Sequence, residues 1–185
     1  MKGEYDVVII GGGPIGSIAS LLLEAKGLSV ALIERNTVPY PFPRAIALNG
    51  FSMGLVKDLI GPELWSEFEF TPGIHVGYVL NKDKMDEPFG LMQPPVIEGK
   101  ILDNDSFGFL NWFNQPQLEG LLRRSIEDRD GITTLYGHEA LVLWEDDLNF
   151  VRVQELSTGE SFDISGKYLL GCLLYTSDAA DDVEC

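Results

Sequence analysis

The stretch Tyr5–Arg35, YDVVIIGGGPIGSIASLLLEAKGLSVALIER, constrains the fold of this chain more than any other. Val7–Ile10 is a short continuous apolar run, the pattern of a strand buried on both faces of a parallel sheet. Gly11, Gly13 and Gly16 then form G-x-G-x-x-G. The first glycine permits a tight turn, the second lets a pyrophosphate approach the backbone, and the third lets a helix pack closely on the sheet. Pro14 suits the first helical turn, where its missing N–H costs nothing. Ile18, Leu21, Leu22 and Ala25 recur at helical spacing and Gly27 is a natural stop. Leu28–Ile33 reads as the second strand, ended by Glu34, 18 residues after Gly16. An acid there can accept from adenosine ribose hydroxyls while the helix N-terminus receives the pyrophosphate. The stretch therefore predicts dinucleotide binding; the alternative is a glycine turn that only packs a helix on a sheet.

At 185 residues the chain is long enough for one domain with a real core, or one and a part. A net charge of −16 argues against nucleic acid or an anionic membrane as partner. No apolar run approaches the roughly 20 residues of a membrane span, and no signal peptide is read at the N-terminus. Both cysteines, Cys172 and Cys185, lie near the C-terminus, so neither a disulfide framework nor a cysteine metal site is expected, and a cytoplasmic location fits.

Beyond Glu34 the chain enters Asn36–Pro43, NTVPYPFP, whose three prolines predict an extended loop that carries Arg44. AIALN follows as a strand-like piece, then a helix over Gly50–Ile60 closed by Gly61 and Pro62. Gly73–Asn81 reads as one strand, and Lys82–Ser106 as loop with short strands. Gln115–Arg129 is a clear helix with Leu118, Leu121, Leu122 and Ile126 on one face. Ile132–Tyr136 predicts a strand, followed by a β-meander over Glu139–Trp144, Phe150–Leu156 and Phe162–Ile164, turning at Asp146-Asp147 and Thr158-Gly159. Lys167–Gly171 is expected as one more, separate short strand.

In this order the pieces resemble the N-terminal half of a flavoprotein monooxygenase of the aromatic-ring hydroxylase family, which includes phenol hydroxylases and the 3-(3-hydroxyphenyl)propionate type. The resemblance covers residues 4 to about 172 and rests on DVVIIGGGPIG, VALIER, YPFPRAIAL, NQPQLEGLLR and GKYLLGC. The first two occur in many FAD and NAD proteins; their combination with the PRA motif and with Q-P-x-L-E-x-x-L-R is more specific. The fold it implies is α/β: a Rossmann-like FAD-binding domain of the glutathione-reductase type over 1–172, with a β-meander. Residues 73–113 would be an insertion contributing to a second, β-sheet substrate domain.

The same resemblance implies a set of cofactor-binding residues. Gly11, Gly13, Pro14, Gly16 and Glu34 would hold the FAD pyrophosphate and ribose. Arg35 would lie near the adenosine end, Arg44 along the cofactor near the pyrophosphate and flavin, and Gln115 against the cofactor's linker. Arg123 matches an arginine facing the FAD. For Arg35 and Arg123 the alternative is a solvated surface charge. In such enzymes NAD(P)H reduces the flavin, oxygen adds to give a flavin hydroperoxide, and the distal oxygen passes to an activated, phenol-like ring. The protein supplies placement and exclusion of water, so no metal cluster or catalytic triad is required. His75 and His138 read as structural or surface residues. Trp112 and Phe113 read as core packing, with a substrate cavity as the alternative. Other FAD enzymes of the same fold (a halogenase or an alkene epoxidase) and a non-catalytic dinucleotide-binding module stay open as readings. The substrate and the oligomeric state are not legible.

The C-terminus departs from the family, in which a strand like KYLLGC leads into D-G; here LLYTSDAADD follows Cys172. Residues Cys172–Asp182 back-translate to a string that matches a transposon-end adapter used in preparing sequencing libraries. The expectation is that the reading frame leaves the gene at or just after Cys172, so that 173–185 is a non-native disordered tail and the FAD-binding domain is incomplete. Without the tail's Asp178, Asp181, Asp182 and Glu184, the net charge is −12. Such a truncated chain is expected to be catalytically incompetent.

Overall fold

The structure is a computed structural model, and it describes residues 3–42, 45, 47–73, 77–81, 84–92, 96–97, 100–101 and 110–172. Arg44, His75 and the tail 173–185 therefore lie outside the described residues. In chain order the elements are β1 (Glu4–Ile10), α1 (Pro14–Glu24), β2 (Val30–Glu34), β3 (Ala47–Asn49) and α2 (Gly50–Glu67). Next come β4 (Phe70–Gly73), β5 (Gly77–Asn81), β6 (Lys84–Met92), β7 (Val96–Ile97), β8 (Lys100–Ile101) and β9 (Leu110–Phe113). The chain closes with α3 (Gln115–Glu127), β10 (Ile132–Tyr136), β11 (His138–Glu145), β12 (Asn149–Glu155) and β13 (Ser161–Gly171). Two compact units result: Met1–Pro41 with Glu119–Cys185, and Phe42–Leu118.

The first unit is built on a six-stranded sheet in the order β10-β2-β1-β13-β12-β11. β10, β2, β1 and β13 run parallel, and β13, β12 and β11 antiparallel. The continuous apolar runs of β1 and β2 are explained by cover on both faces. Val8, Ala31 and Ile33 cluster with Val151, Val153 and Ile164 of the meander. The alternate residues Ile9 and Leu32 point the other way, where α1 packs on β1 and β2, and both are fully buried. Burying a side chain of this size stabilises by roughly 1.5–3 kcal/mol, so this sandwich of two faces on one pair of strands is the core that holds the glycine turn in place.

β13 corrects the expected break between Ile164 and Lys167. It is one strand of 11 residues. Its first half pairs antiparallel with β12 as far as Gly166, and its second half pairs parallel with β1 from Ser165 to Gly171. Gly166 lies in the gap between the two expected strands, yet it marks the handover between partners: a Cβ there would stand 2.9 Å from Val8 Cγ2 and 3.3 Å from the Val8 backbone nitrogen. A glycine inside a strand here signals close approach, not termination. Where β12 leaves, the Asn149 side-chain amide donates to the carbonyls of Gly166 and Lys167, at 3.5 and 3.0 Å.

The N-terminal end of the parallel strands is tied by Asp6. Its carboxylate accepts from the Lys167 ammonium at 2.7 Å and from both the backbone N–H and the hydroxyl of Ser29 at 2.9 Å. These bonds, the Lys167 one foremost, hold the Asp6 pKa at about 2. Because the folded pKa is depressed, the stabilisation is present above the ordinary carboxylate value and is lost as pH falls through the folded one. The denaturation midpoints of wild type and Asp6→Asn are expected to differ at neutral pH and to converge between about pH 4 and pH 2. A gap that stays constant over this range would rule the Asp6 tie out.

The second unit holds a three-stranded sheet, β3-β9-β4, and two hairpins, β5-β6 and β7-β8. α2 starts at Asn49, whose side chain accepts from the Ser52 N–H at 2.8 Å. It is broken at Gly61 (φ 77°), where the sequence predicts a stop, and a further helical stretch continues to Glu67. The single strand expected over Gly73–Asn81 is instead the end of β4 and the whole of β5, which belong to different sheets. β6 is longer than the short strands expected in that region; its Pro88 sits opposite Leu80, where the register shifts, a position that tolerates a missing ladder donor. Trp65, Phe68, Phe70 and Phe113 form an aromatic cluster with ring centroids 5.4–6.2 Å apart. Phe113 thus packs as expected, whereas Trp112 is 40% exposed.

Candidate cofactor site

The glycine turn joins β1 to α1, and its glycines have distinct tasks. Gly11 adopts φ 105°, a conformation that side chains disfavour, and its N–H donates to the Ile33 carbonyl at 2.8 Å. A Cβ on Gly16 would fall 1.8 Å from the Gly11 carbonyl oxygen, so only glycine lets α1 lie this close to the turn. A Cβ on Gly13 would meet nothing within 4 Å, so the space beside it is open. Gly13 is the N-cap of α1 and Pro14 its first residue; the helix has no side-chain cap and no acid in its first turn. The first helical N–H groups, which have no intrahelical acceptor, therefore keep their affinity for an anion.

Gly12 is the residue that sequence reasoning passed over. Its N–H donates to Glu34 Oε2 at 2.8 Å, and a Cβ there would lie 2.7 Å from the Glu34 Cβ. The end of β2 is thus pressed against the turn. Glu34 Oε1 accepts from the Asn36 N–H at 2.8 Å and from the Asn36 side-chain amide at 2.7 Å. Three donors hold the carboxylate, and since two carboxylate oxygens offer about four lone-pair sites, room for one more donor remains. Gly12 was recognisable only as the middle of a GGG run, and Asn36 carries no signal in the sequence.

Arg123 projects from α3 toward the same loop. It is 7% exposed; its Nη1 donates to the Thr37 carbonyl at 2.8 Å and its Nη2 to the Asn36 carbonyl at 3.4 Å. The guanidinium lies over the Tyr136 ring, 4.3 Å from its centroid, and Tyr136 is the register partner of Glu34 in the β10–β2 pairing. Of the two readings offered for Arg123, the solvated surface charge is therefore set aside by its burial. Arg35 is exposed. In the second unit the Gln115 side-chain oxygen accepts from the Ala45 N–H at 2.7 Å, which ties the start of α3 to the residue after Arg44. His138 donates from Nδ1 to the Tyr136 carbonyl at 2.8 Å and meets the Phe162 ring edge-on.

The turn, the uncapped helix and the acid at the end of β2 form the constellation of a dinucleotide site, and its sequence matches the FAD binding domain family over residues 4–183. The chain belongs to that family. Among its relatives, 3-(3-hydroxy-phenyl)propionate/3-hydroxycinnamic acid hydroxylase 1 of Burkholderia vietnamiensis (strain G4 / LMG 22486) is 28% identical, over 91% of this chain and 26% of the relative. A protein named "Probable NADH-specific resorcinol 4-hydroxylase" from Rhodococcus jostii (strain RHA1) is 30% identical, over 92% of this chain and 31% of the relative. The solved flavin-dependent monooxygenase PieE, in complex with FAD and substrate, superimposes with a TM-score of 0.67 at 24% identity, over 90% of this chain and 29% of that one. The fold is therefore the α/β fold of FAD-binding monooxygenases, and the chain spans roughly a quarter to a third of these relatives' length. The residues present fit FAD: open space at Gly13, an uncapped helix end, and a carboxylate with accepting capacity left. No helix among the described residues is long and apolar enough to cross a membrane.

Proposed function

We propose that this chain is the ADP-holding part of an FAD-dependent, NAD(P)H-using monooxygenase that hydroxylates a phenol-like aromatic with molecular oxygen. The observation that carries the reading is the closure of Glu34 on the Gly12 N–H beside an open Gly13. The relatives' names, hydroxylases of phenolic rings with NADH in one of them, support the reaction class. FAD, when bound, supplies the redox chemistry that couples a nicotinamide hydride and oxygen to ring hydroxylation.

The chain's own residues bind and orient. Gly11, Gly13, Pro14 and Gly16 shape the turn so that α1 offers its first N–H groups to a phosphate. Glu34 accepts from a ribose hydroxyl, with Arg35 beside it at the adenosine end. Gln115 steadies the loop that carries Arg44, through the Ala45 N–H, and the Arg44 guanidinium suits phosphate oxygens. The segment 73–113 contributes to the substrate side. The chain alone is not catalytically competent, and the protein works in the cytoplasm.

The test is to recover the parent gene beyond codon 172 and purify its product. A yellow protein bleached by NADH or NADPH under nitrogen, recoloured by air, and yielding a hydroxylated phenol is the expected result. A colourless protein that takes up no FAD would sink the reading, and so would a bound flavin indifferent to both nicotinamides.

A further inference from the structure

We infer that Arg123 is a positioning residue: it sets the Glu34 carboxylate through the Asn36–Thr37 backbone, with the Tyr136 ring as its platform. The contacts form one connected path. Arg123 holds the carbonyls of Asn36 and Thr37. The Asn36 N–H and side-chain amide hold Glu34 Oε1. Glu34 Oε2 holds the Gly12 N–H of the turn. Thr37 is boxed in from the other side, since a Cβ at Gly137 would stand 3.0 Å from its Cγ2.

Two unmet polar atoms show what the arrangement favours. Arg123 Nε and the Tyr136 hydroxyl are buried without a hydrogen-bond partner among the described residues. A buried guanidinium with an unmet N–H is costly unless its remaining contacts compensate. Here those contacts are the two carbonyls and the ring face, which only a planar fork can serve together. Tyr136 therefore acts through its ring and not through its hydroxyl, which burial keeps protonated by raising its pKa. The path ends on Glu34, so Arg123 governs ribose recognition without touching the ligand; this last step rests on the dinucleotide reading, whereas the path itself does not.

The experiment uses the whole 185-residue chain and two readouts. Amide hydrogen exchange at Gly12 and Asn36 reports directly on the two Glu34 oxygens. In Arg123→Lys both amides are expected to exchange roughly 10-fold faster, while Ala31 and Leu32 inside β2 keep their protection. Tyr136→Leu is expected to act in the same direction, and Tyr136→Phe to leave both rates unchanged. If Arg123→Lys also loses protection at Ala31 and Leu32, Tyr136→Leu decides. Titration with ADP supplies the second readout. Arg123→Lys should weaken ADP binding roughly 10-fold with Glu34 present but less than about twofold in the Glu34→Ala background. Unchanged exchange at Gly12 and Asn36, or an equal loss of ADP affinity in both backgrounds, overturns the inference. If exchange responds while the wild-type chain takes up no ADP, the positioning path stands and the dinucleotide reading falls.

Discussion

Gly16→Ala is expected to cost on the order of 3 kcal/mol of stability, enough to unfold a marginal domain. The added methyl would sit 1.8 Å from the Gly11 carbonyl oxygen and 3.4 Å from Ile9 Cγ2. The first clash is with backbone, which no rotamer change relieves. Either α1 lifts off the sheet, exposing the fully buried Leu21, or the turn opens and the Gly11–Ile33 bond breaks. Gly13→Ala is the matched control: its methyl meets nothing within 4 Å and its φ of −70° suits alanine, so its folding should be that of wild type. Under the proposed function it should nonetheless weaken FAD, because the methyl occupies the space a pyrophosphate needs. Urea midpoints of the two variants provide the comparison, and equal midpoints would refute the close approach at Gly16.

Under the proposed function, Glu34→Ala in the full-length parent is expected to weaken FAD on the order of 100-fold, or about 2.7 kcal/mol. Hydrogen bonds to a charged group contribute roughly 1.5–3 kcal/mol each; the variant removes the three that brace the turn and the Asn36 loop and, under the proposed function, the one to ribose. Glu34→Gln keeps one carbonyl acceptor and should fall between wild type and Glu34→Ala. Calorimetric titration of the apoprotein with FAD measures both; flavin occupancy unchanged in Glu34→Ala would remove Glu34 from the site.

The first 35 residues were legible because their signals are local. An apolar run, a glycine spacing, a helical stripe and an acid each follow from neighbours in sequence, and β1, α1 and β2 appear where they point. What escaped depends on distant partners. The continuity of β13 through Gly166 is hidden until Val8, about 160 positions earlier, is known to press against it. Gly12 looks redundant among three glycines until Glu34 arrives. Arg123 was legible as a position on a helix, but its contacts to Asn36, Thr37 and Tyr136 arise only when α3, the loop after β2 and β10 converge. In the second unit, pairing rather than pattern divides β4 from β5 and lets β6 run through Pro88.

The pairing of β1 with β13 also dictates how this protein must be made. β1 and β2 leave the ribosome before the other strands of their sheet, but their outer edges wait for β13 and β10, and the whole of Phe42–Leu118 is synthesised in between. At roughly 5–20 residues per second that interval is on the order of ten seconds. Throughout it, two of the most apolar strands present unpaired edges and an uncovered Val8–Ala31–Ile33 face, a standing invitation to pair with a neighbouring nascent chain. Slow decoding or crowded polysomes should therefore lower the yield of folded protein more than they would for a domain whose sheet is completed in sequence order.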